Sequence, residues 1–323
     1  MKKIYFITIL AILLSGCAVK IDTMSVYVPE EGGINFTKIT DENKETISNP
    51  NVQFLSGMMA WWGNPLISLS PDGQNIAYVS FKNGARNIMV KATTNTSMST
   101  QRTFRKFVND VCYSPDGKSI CFSEDNNPYS YLYTTNAKQG TIIQQISGNS
   151  VSDYAPYYSK DGEKIFFARQ YQGSYSIWSY EKETNLFTNY CYGTTPHPIN
   201  DEEFICTRIN QKGLSDIWLI NYVKGTESII LSIEGQSFST PSLSPDGKWI
   251  LCTGNTKPHG KDTRGNLDLY VIRNDGSQLT QLTYHQGHDA SPIWSKDGKY
   301  IYFLSQRGTE QGEWNIWKMN FQL

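Results

Sequence analysis

Histidine side chains provide the clearest chemical signal in the sequence. His285 and His288 stand three residues apart in the polar stretch from Tyr284 to Asp289, and His259 precedes them in another polar stretch. Imidazole nitrogens are common metal ligands, and they also take up or release protons near neutral pH. Two histidines in a polar loop more often face solvent than bind a metal, so the sequence predicts neither a metal site nor another cofactor.

Tryptophan and arginine provide a second signal, which favours binding. Trp61 and Trp62 are adjacent in a long connection between residues 41 and 64, and Arg264 lies in an insertion between residues 254 and 265. Trp and Arg side chains dominate the binding energy of many protein interfaces. The alternative is that the connection folds over the protein and buries both indole rings. The candidate partner-binding residues are Trp61, Trp62, His259, Arg264, His285, His288 and Asp289.

Common catalytic and nucleotide-binding motifs are missing from the sequence. It contains no Gly-x-Ser-x-Gly nucleophile turn, no P-loop and no Gly-rich dinucleotide fingerprint. It also contains no Cys-x-x-Cys pair, so a zinc ribbon or a thioredoxin-like redox motif has no support. We therefore predict no catalytic residues and favour a protein that is not an enzyme.

Composition limits the classes of partner and fold. The chain of 323 residues carries 29 Lys and Arg against 30 Asp and Glu, which argues against a nucleic-acid partner because phosphate contacts require a basic excess. Hydrophobic residues make up 39% of the chain, enough for a sizeable core, and aromatic residues make up 13%. Aromatic enrichment with frequent Gly and Pro favours strands over helices.

A short turn motif recurs six times. An isoleucine stands four residues after the Asp of each copy, and a motif such as Asp216-Ile217-Trp218 follows each turn. Neighbouring copies lie 40 to 51 residues apart, as judged from the Asp positions. The chain is therefore built from six equivalent units. The copies are Ser-Pro-Asp-Gly at 70–73, 114–117 and 244–247, Ser-Lys-Asp-Gly at 159–162 and 295–298, and a degenerate copy, Asn-Asp-Glu-Glu, at 200–203.

Each unit predicts four strands. Pro suits the second position of a type I turn and Gly its last position, so the motif joins two antiparallel strands. The Ile-Trp segment predicts a third strand, and a Leu-Thr-like segment such as residues 278–283 predicts a fourth. Four strands in about 45 residues is the size of a propeller blade. We predict an all-β fold, a single six-bladed β-propeller of four-stranded antiparallel blades.

The ends of the repeat array predict how the propeller closes. The sixth unit stops at Leu323, directly after its third predicted strand. Residues 35–40 read as the missing fourth strand, and we expect them to pair beside residues 314–321. Such pairing removes the open edges that would otherwise promote aggregation. The predicted propeller spans residues 35–323.

The repeat resembles that of a known family. The pattern Pro-x-x-Ser-Pro-Asp-Gly-Lys-x-Ile, as at residues 241–250, followed by Asp-Ile-Trp, resembles the WD-like repeat of TolB-type propellers. The resemblance covers roughly residues 35–323 and implies a TolB-like propeller. The α/β domain that precedes the propeller in TolB is expected to be absent, because about 18 residues separate Cys17 from the first predicted strand. Propeller-type oligogalacturonate lyases, which bind a metal through histidines, resemble the chain in fold; this resemblance assigns no ligand role to any of its four histidines.

The first residues predict a lipoprotein leader. A positive start at residues 1–3 and an apolar stretch at residues 4–14 precede Leu14-Ser15-Gly16-Cys17, which resembles a bacterial lipobox. The apolar stretch is too short to span a bilayer, so we expect residues 1–16 to be a cleaved signal peptide. Lipidated Cys17 would anchor the protein, and residues 17–34 would form a tether. The alternative is an ordinary signal peptide with an accidental cysteine.

Five cysteines remain when Cys17 is set aside. Because the number is odd, they cannot all form disulfides. Cys112 and Cys121 flank a tight turn and could pair across adjacent strands. The alternative is that most of the cysteines are small core residues.

Two functions follow as expectations. The leading hypothesis is a membrane-anchored, non-enzymatic platform for another envelope protein, on the periplasmic side of a bacterial outer membrane. The alternative is a carbohydrate-active propeller, either a polysaccharide lyase or a glycan-binding protein. Both hypotheses use the same loop-bearing face of the propeller.

Overall fold

The computed structural model describes residues 34–40, 47, 65–82, 84–94, 98–148, 150–255, 266–308 and 313–323. The predicted signal peptide and Cys17 lie outside these residues. Within the described part of the chain, no helix is long and apolar enough to cross a membrane.

The described residues form six antiparallel sheets of four strands each, which confirms the predicted propeller. Blade 1 contains β2 (Ile67–Leu69), β3 (Asn75–Lys82), β4 (Ala85–Ala92) and β5 (Thr100–Gln101). Blade 2 contains β6 (Cys112–Tyr113), β7 (Ser119–Asn126), β8 (Tyr129–Asn136) and β9 (Ile142–Gln145). Blade 3 contains β10 (Ser152–Tyr158), β11 (Lys164–Tyr171), β12 (Ser174–Glu181) and β13 (Phe187–Tyr192).

The other three blades repeat this order, with one strand supplied from the start of the chain. Blade 4 contains β14 (Thr194–Pro198), β15 (Glu203–Ile209), β16 (Ser215–Asn221) and β17 (Thr226–Leu231). Blade 5 contains β18 (Phe238–Leu243), β19 (Trp249–Asn255), β20 (Leu267–Arg273) and β21 (Thr280–Gln281). Blade 6 contains β22 (Asp289–Trp294), β23 (Tyr300–Ser305), β24 (Asn315–Asn320) and β1 (Phe36–Lys38).

The core lies between neighbouring blades. The isoleucine that follows each turn motif sits on the second strand of its blade and is at most 1% exposed. Between blades 3 and 4, for example, Phe166 and Ile177 belong to the same buried cluster as Phe204 and Ile220. Burial of these apolar side chains supplies the main driving force for folding. The repeated isoleucines are Ile76, Ile120, Ile165, Ile205, Ile250 and Ile301.

The turn motif is held by its own serine and aspartate. Ser70 donates a hydrogen bond to Asp72 (Oγ–Oδ1 2.5 Å) and accepts one from the amide of Asn75 (2.9 Å). Gly73 takes a left-handed φ of 72°, which disfavours side chains. The hydrogen bond from Ser70 holds the pKa of Asp72 below its usual value. The same serine–aspartate bond forms in the turns that begin at residues 114, 159, 244 and 295.

The N-terminal strand closes blade 6 as the sequence predicts. Strand β1 pairs antiparallel with β24, and Phe36 faces Met319 in this register. The amide of Ile39 extends the pairing by donating to the carbonyl of Ile316 (2.8 Å), and Thr40 Oγ1 donates to Asn315 Oδ1 (2.9 Å). Blade 6 thus includes residues that are 275 and 276 positions apart in the sequence and are joined by hydrogen bonds.

The innermost strands of blades 3 to 6 carry a bulge that the sequence pattern does not reveal. In each, the residue six positions before the turn aspartate has a left-handed φ between 44° and 52°. The strand register shifts at the same place. A bulge inserts an extra residue and re-aims side chains at the end of the strand. The residues are Ala155, Thr195, Thr240 and Ser291.

Candidate binding face

The two ends of the propeller carry different connections. The Ser-Pro-Asp-Gly-like turns and the connections after the third strands lie at one end, which we call the turn face. The connections after the second and fourth strands lie at the opposite end, which we call the loop face. This arrangement follows from the antiparallel order of the strands within each blade.

Of the seven predicted face residues, the structure describes three. His285 and His288 lie in the connection from blade 5 to blade 6, which belongs to the loop face, and Asp289 follows as the first residue of β22. The other four lie outside the described residues: Trp61, Trp62, His259 and Arg264.

The two described loop histidines accept hydrogen bonds from backbone amides. Nδ1 of His285 accepts from the amide of Gly287 (2.9 Å), and Nδ1 of His288 accepts from the amide of Leu267 (3.1 Å). The His288 ring also stacks on Trp314, with ring centres 6.3 Å apart and 13° between planes. When Nδ1 of a neutral imidazole accepts a hydrogen bond, Nε2 carries the proton. In this geometry the histidines therefore hold the loop in place, and neither ring offers a free lone pair to a metal.

Asp289 lies beneath this loop. It is the first residue of β22 and is 0% exposed. Its Oδ2 accepts a hydrogen bond from Nη2 of Arg307 (2.7 Å), whose side chain is also buried. The carboxylate is thus used inside the protein, where it positions the start of blade 6.

Exposed aromatic side chains on the loop face of blade 1 form a group that sequence reasoning missed. Phe104 and Phe107 lie in the connection from blade 1 to blade 2 and are 82% and 44% exposed. Phe81, at the end of β3, is 47% exposed and pairs in register with Arg86. The Arg86 guanidinium lies 6.0 Å from the centre of the Phe107 ring and forms an ion pair with Asp125 (3.1 Å).

We call Phe81, Phe104 and Phe107 the aromatic patch. The only feature of the sequence that indicates the patch is a pair of phenylalanines among basic residues, in a connection too polar to form a strand. That signal is weak, because sequence alone does not show whether such rings point inward or outward. An exposed apolar group on an ordered loop is a feature of interaction sites.

The innermost strands of blades 3 and 4 carry ring side chains at equivalent positions, four residues before the turn aspartate. His197 occupies this position in blade 4, and Tyr157 occupies it in blade 3, with their ring centres 5.5 Å apart. Burial lowers the pKa of His197 to about 4, so the ring is neutral at pH 7. Nδ1 of His197 has no hydrogen-bond partner among the described residues. Within that part of the chain, no group of three or more potential metal-ligating residues is present.

A cleft of about 740 Å³ lies on the turn face, between blades 1 and 2. Its lining includes Arg102, Lys118 and Lys138, together with the turn aspartates Asp72 and Asp116. Arg102 has a structural role, since its Nε donates a hydrogen bond to the carbonyl of Ala137 (2.8 Å). The cleft is at the end of the propeller opposite His285, His288 and Asp289.

These features define a six-bladed propeller of WD-like repeats with a loop-bearing face. The TolB beta propeller domain family matches residues 62–257, more than half of the chain. The chain therefore belongs to this family.

Individual relatives agree with the family. The chain is 23% identical over 195 residues to the Tol-Pal system protein TolB of Francisella tularensis subsp. holarctica, an alignment that covers 60% of this chain and 36% of TolB. Putative TolB from Agrobacterium tumefaciens has a similar structure (TM-score 0.61, 17% identity), with 81% of this chain and 93% of that chain covered. Oligogalacturonate lyase from Vibrio parahaemolyticus has a TM-score of 0.59 at 13% identity, with 90% and 94% covered.

The structural similarities show the shared fold. The chain spans well under half the length of the curated relatives that it matches.

Proposed function

We propose that the protein is a non-enzymatic, protein-binding propeller of the bacterial envelope. The observation that carries the proposal is the aromatic patch on the loop face, where Phe104 is 82% exposed. The membership of the chain in the TolB beta propeller domain family supports an envelope role, because the relatives of the chain include TolB of the Tol-Pal system.

The aromatic patch has the physical properties of an anchor for a partner. Covering Phe104 and Phe107 would remove two large apolar side chains from water, which favours association by about 25 cal/mol per Å² of apolar surface. Arg86 stands beside Phe107, where its ion pair with Asp125 holds it in place. Arg is among the residue types enriched at the positions that dominate interface energies.

The predicted loop-face residues extend this surface in the proposal. Ordered loops on a rigid scaffold are where binding residues concentrate. Asp289 and Arg307 would act from below, by fixing the loop that carries His285 and His288. We include the candidate residues outside the described part of the chain on the same face: Trp61, Trp62, His259 and Arg264.

Anchoring is a further part of the proposal. Residues 1–16 would be cleaved as a lipoprotein signal peptide, and Cys17 would carry the lipid. Residues 17–34 would then tether the propeller of residues 35–323 to the periplasmic side of the outer membrane. Labelling cells with a fatty-acid analogue tests this: the wild type should be labelled and Cys17→Ala should not.

Cross-linking in cells followed by affinity capture tests the binding face. We expect one envelope protein to be captured with the wild type and lost with Phe104→Ser and Phe107→Ser combined. Met98→Ser is the matched control, because Met98 is 83% exposed but lies in the β4–β5 connection on the turn face. Capture that is insensitive to the Phe changes and lost with Met98→Ser would overturn the assignment of the face.

A carbohydrate-active propeller is the second candidate. The fold shared with oligogalacturonate lyase favours it. The hydrogen bonds that both described loop histidines accept from backbone amides argue against a lyase, because they leave the rings without a free lone pair. Incubation with polyuronides and measurement of unsaturated products separates the candidates: cleavage would favour the lyase, and its absence together with partner capture would favour the platform.

A further inference from the structure

Two cysteine side chains meet where blade 3 contacts blade 4. Cys191 lies on β13, the outermost strand of blade 3, and Cys206 lies on β15 of blade 4. Cys206 belongs to a buried cluster against which Cys191 packs, and each thiol shifts the pKa of the other. The two residues share a buried cluster with Phe166 and Phe204.

The path of the chain explains this proximity. Gly193 alone connects the end of β13 with the start of β14, so the outermost strand of one blade runs directly into the innermost strand of the next. A Cβ atom at Gly193 would lie 3.1 Å from the carbonyl oxygen of Thr207. The close approach of the two backbones brings Cys191, two residues before Gly193, against Cys206, one residue before Thr207.

A fixed cation lies beside the pair. The Arg208 side chain lies at the same junction, where its Cγ is 3.4 Å from the position that a Cβ would take at Gly193. Its guanidinium is held by Glu227 through two hydrogen bonds (Nη1–Oε2 2.7 Å, Nη2–Oε1 2.8 Å). The guanidinium also stacks 4.8 Å from the centre of the Trp218 ring. Two independent contacts thus fix the positive charge near Cys191, where it favours the thiolate and lowers the pKa of the thiol.

The pKa values of the two thiols are shifted in opposite directions. The neighbouring Cys206 thiol, and after it the Arg208 guanidinium, lowers the pKa of Cys191 to about 7, against the opposing effects of burial and Glu227. Burial raises the pKa of Cys206 well above its usual value. At neutral pH Cys191 is partly a thiolate, and it is the less buried of the two. Cys191 therefore has the properties of an attacking thiol and Cys206 those of a resolving thiol.

The remaining described thiols differ from this pair. Cys112 and Cys121 face each other across β6 and β7, but burial raises the pKa of Cys112 to about 12 and that of Cys121 well above its usual value. Burial likewise raises the pKa of Cys252. Among the five cysteines described, the thiolate character belongs to Cys191.

We propose that Cys191 and Cys206 form a thiol–disulfide exchange site that links blade 3 to blade 4 covalently. The co-reactant is a disulfide, R–S–S–R. The Cys191 thiolate attacks one of its sulfurs, forms a mixed disulfide and releases RS⁻. Cys206 loses its proton to solvent and attacks the Cys191 sulfur, which releases the second RS⁻. The two cysteine thiols are oxidised to one disulfide, and the co-reactant is reduced to two thiols.

Oxidised glutathione is a suitable probe for the purified, folded chain. After incubation at neutral pH and alkylation of the remaining thiols, mass spectrometry of non-reduced peptides should find Cys191 joined to Cys206. In Cys206→Ser, the mixed disulfide should accumulate with glutathione on Cys191. In Cys191→Ser, Cys206 should remain unmodified, because it is buried and protonated.

Arg208→Gln tests the role of the cation. The variant should form the mixed disulfide roughly tenfold more slowly at pH 7, because less thiolate is present, and should recover at higher pH. Cys252→Ser and Cys112→Ser are the matched controls, and both should leave the exchange unchanged. Alkylation of Cys191 and Cys206 as separate free thiols in the wild type, or glutathione found first on Cys112 or Cys252, would overturn the proposal.

Discussion

The guanidinium of Arg307 lies 3.9 Å from the centre of the Phe36 ring. Phe36 belongs to the N-terminal strand that closes blade 6, whereas Arg307 follows the second strand of that blade. Arg307 also donates to Asp289 (2.7 Å), at the start of the innermost strand. One buried cation thus connects the outermost and innermost strands of the closing blade.

Replacement of Arg307 should destabilise the closure strongly. Arg307→Met removes the partner of a carboxylate that is 0% exposed, and breaking a buried pair in this way costs about 3–5 kcal/mol. Urea unfolding should show this loss as a lower midpoint. Asp289→Leu combined with Arg307→Met should recover part of it, because no unpaired charge then remains buried. A single variant as stable as the wild type would contradict this account.

Asp110 should make stability depend on pH. It lies at the loop-face end of blade 2, where it accepts bonds from the Ser123 amide and hydroxyl (2.6 Å each) and the Ala155 amide (2.8 Å). Burial raises its pKa from 3.8 to about 6. The folded state therefore binds the proton more tightly than the unfolded state, so the stabilisation is complete below about pH 4 and is lost as the pH rises through 6.

Asp110→Asn isolates this effect. The difference in free energy of unfolding between wild type and variant should change by up to about 3 kcal/mol between pH 4 and pH 7, to the disadvantage of the wild type at the higher pH. Denaturant titrations at several pH values measure it. A difference that is constant with pH, or that changes in the opposite direction, would show that Asp110 does not titrate in this range.

The repeated turns should lose stability when their serine is removed. Ser114 donates to Asp116 (2.6 Å) and accepts from the amide of Ser119 (3.0 Å), so Ser114→Ala leaves that part-buried amide unsatisfied. The expected cost is about 1–3 kcal/mol in urea unfolding. Ser114→Thr keeps the hydroxyl and should cost less.

The pH dependence of the serine variant provides a second readout. The Ser114 hydrogen bond lowers the pKa of Asp116, so its contribution is present above the unfolded-state pKa and is lost as the pH falls through the folded-state value. The difference in free energy of unfolding between wild type and Ser114→Ala should therefore become smaller below about pH 4. A gap that widens there would assign the stabilisation to another group.

Repetition made the fold predictable. The six Ser-Pro-Asp-Gly-like turns fix the number of blades, and the strand-like pattern of residues 35–40 predicts the pairing of β1 with β24. The bulges at Thr195 and Thr240 were not predictable, because their left-handed φ depends on contacts with neighbouring strands rather than on residue type. Thr195 and Thr240, for example, bond to threonines of the adjacent strand.

The site was less predictable than the fold. Asp289 directly follows the loop that carries His285 and His288, so the sequence groups it with them. In the structure it begins a strand, and its buried carboxylate bonds to Arg307, which lies 18 residues later. The exposure of Phe104 likewise depends on tertiary structure, because a phenylalanine among basic residues fits an inward or an outward position equally well. Hydrophobic pattern therefore located the loops and not the direction of their side chains.

The loop histidines predict the outcome of a metal titration. Nδ1 of His285 and Nδ1 of His288 each accept a backbone amide, so binding a metal would require one of these bonds to break or a proton to leave Nε2. A ligand that binds the folded state raises its melting temperature. We therefore expect Mn²⁺ and Zn²⁺ to leave the melting temperature unchanged in wild type and in His285→Ala alike. A saturable rise in the wild type that disappears in His285→Ala or His259→Ala would contradict this geometry and favour the carbohydrate-active alternative.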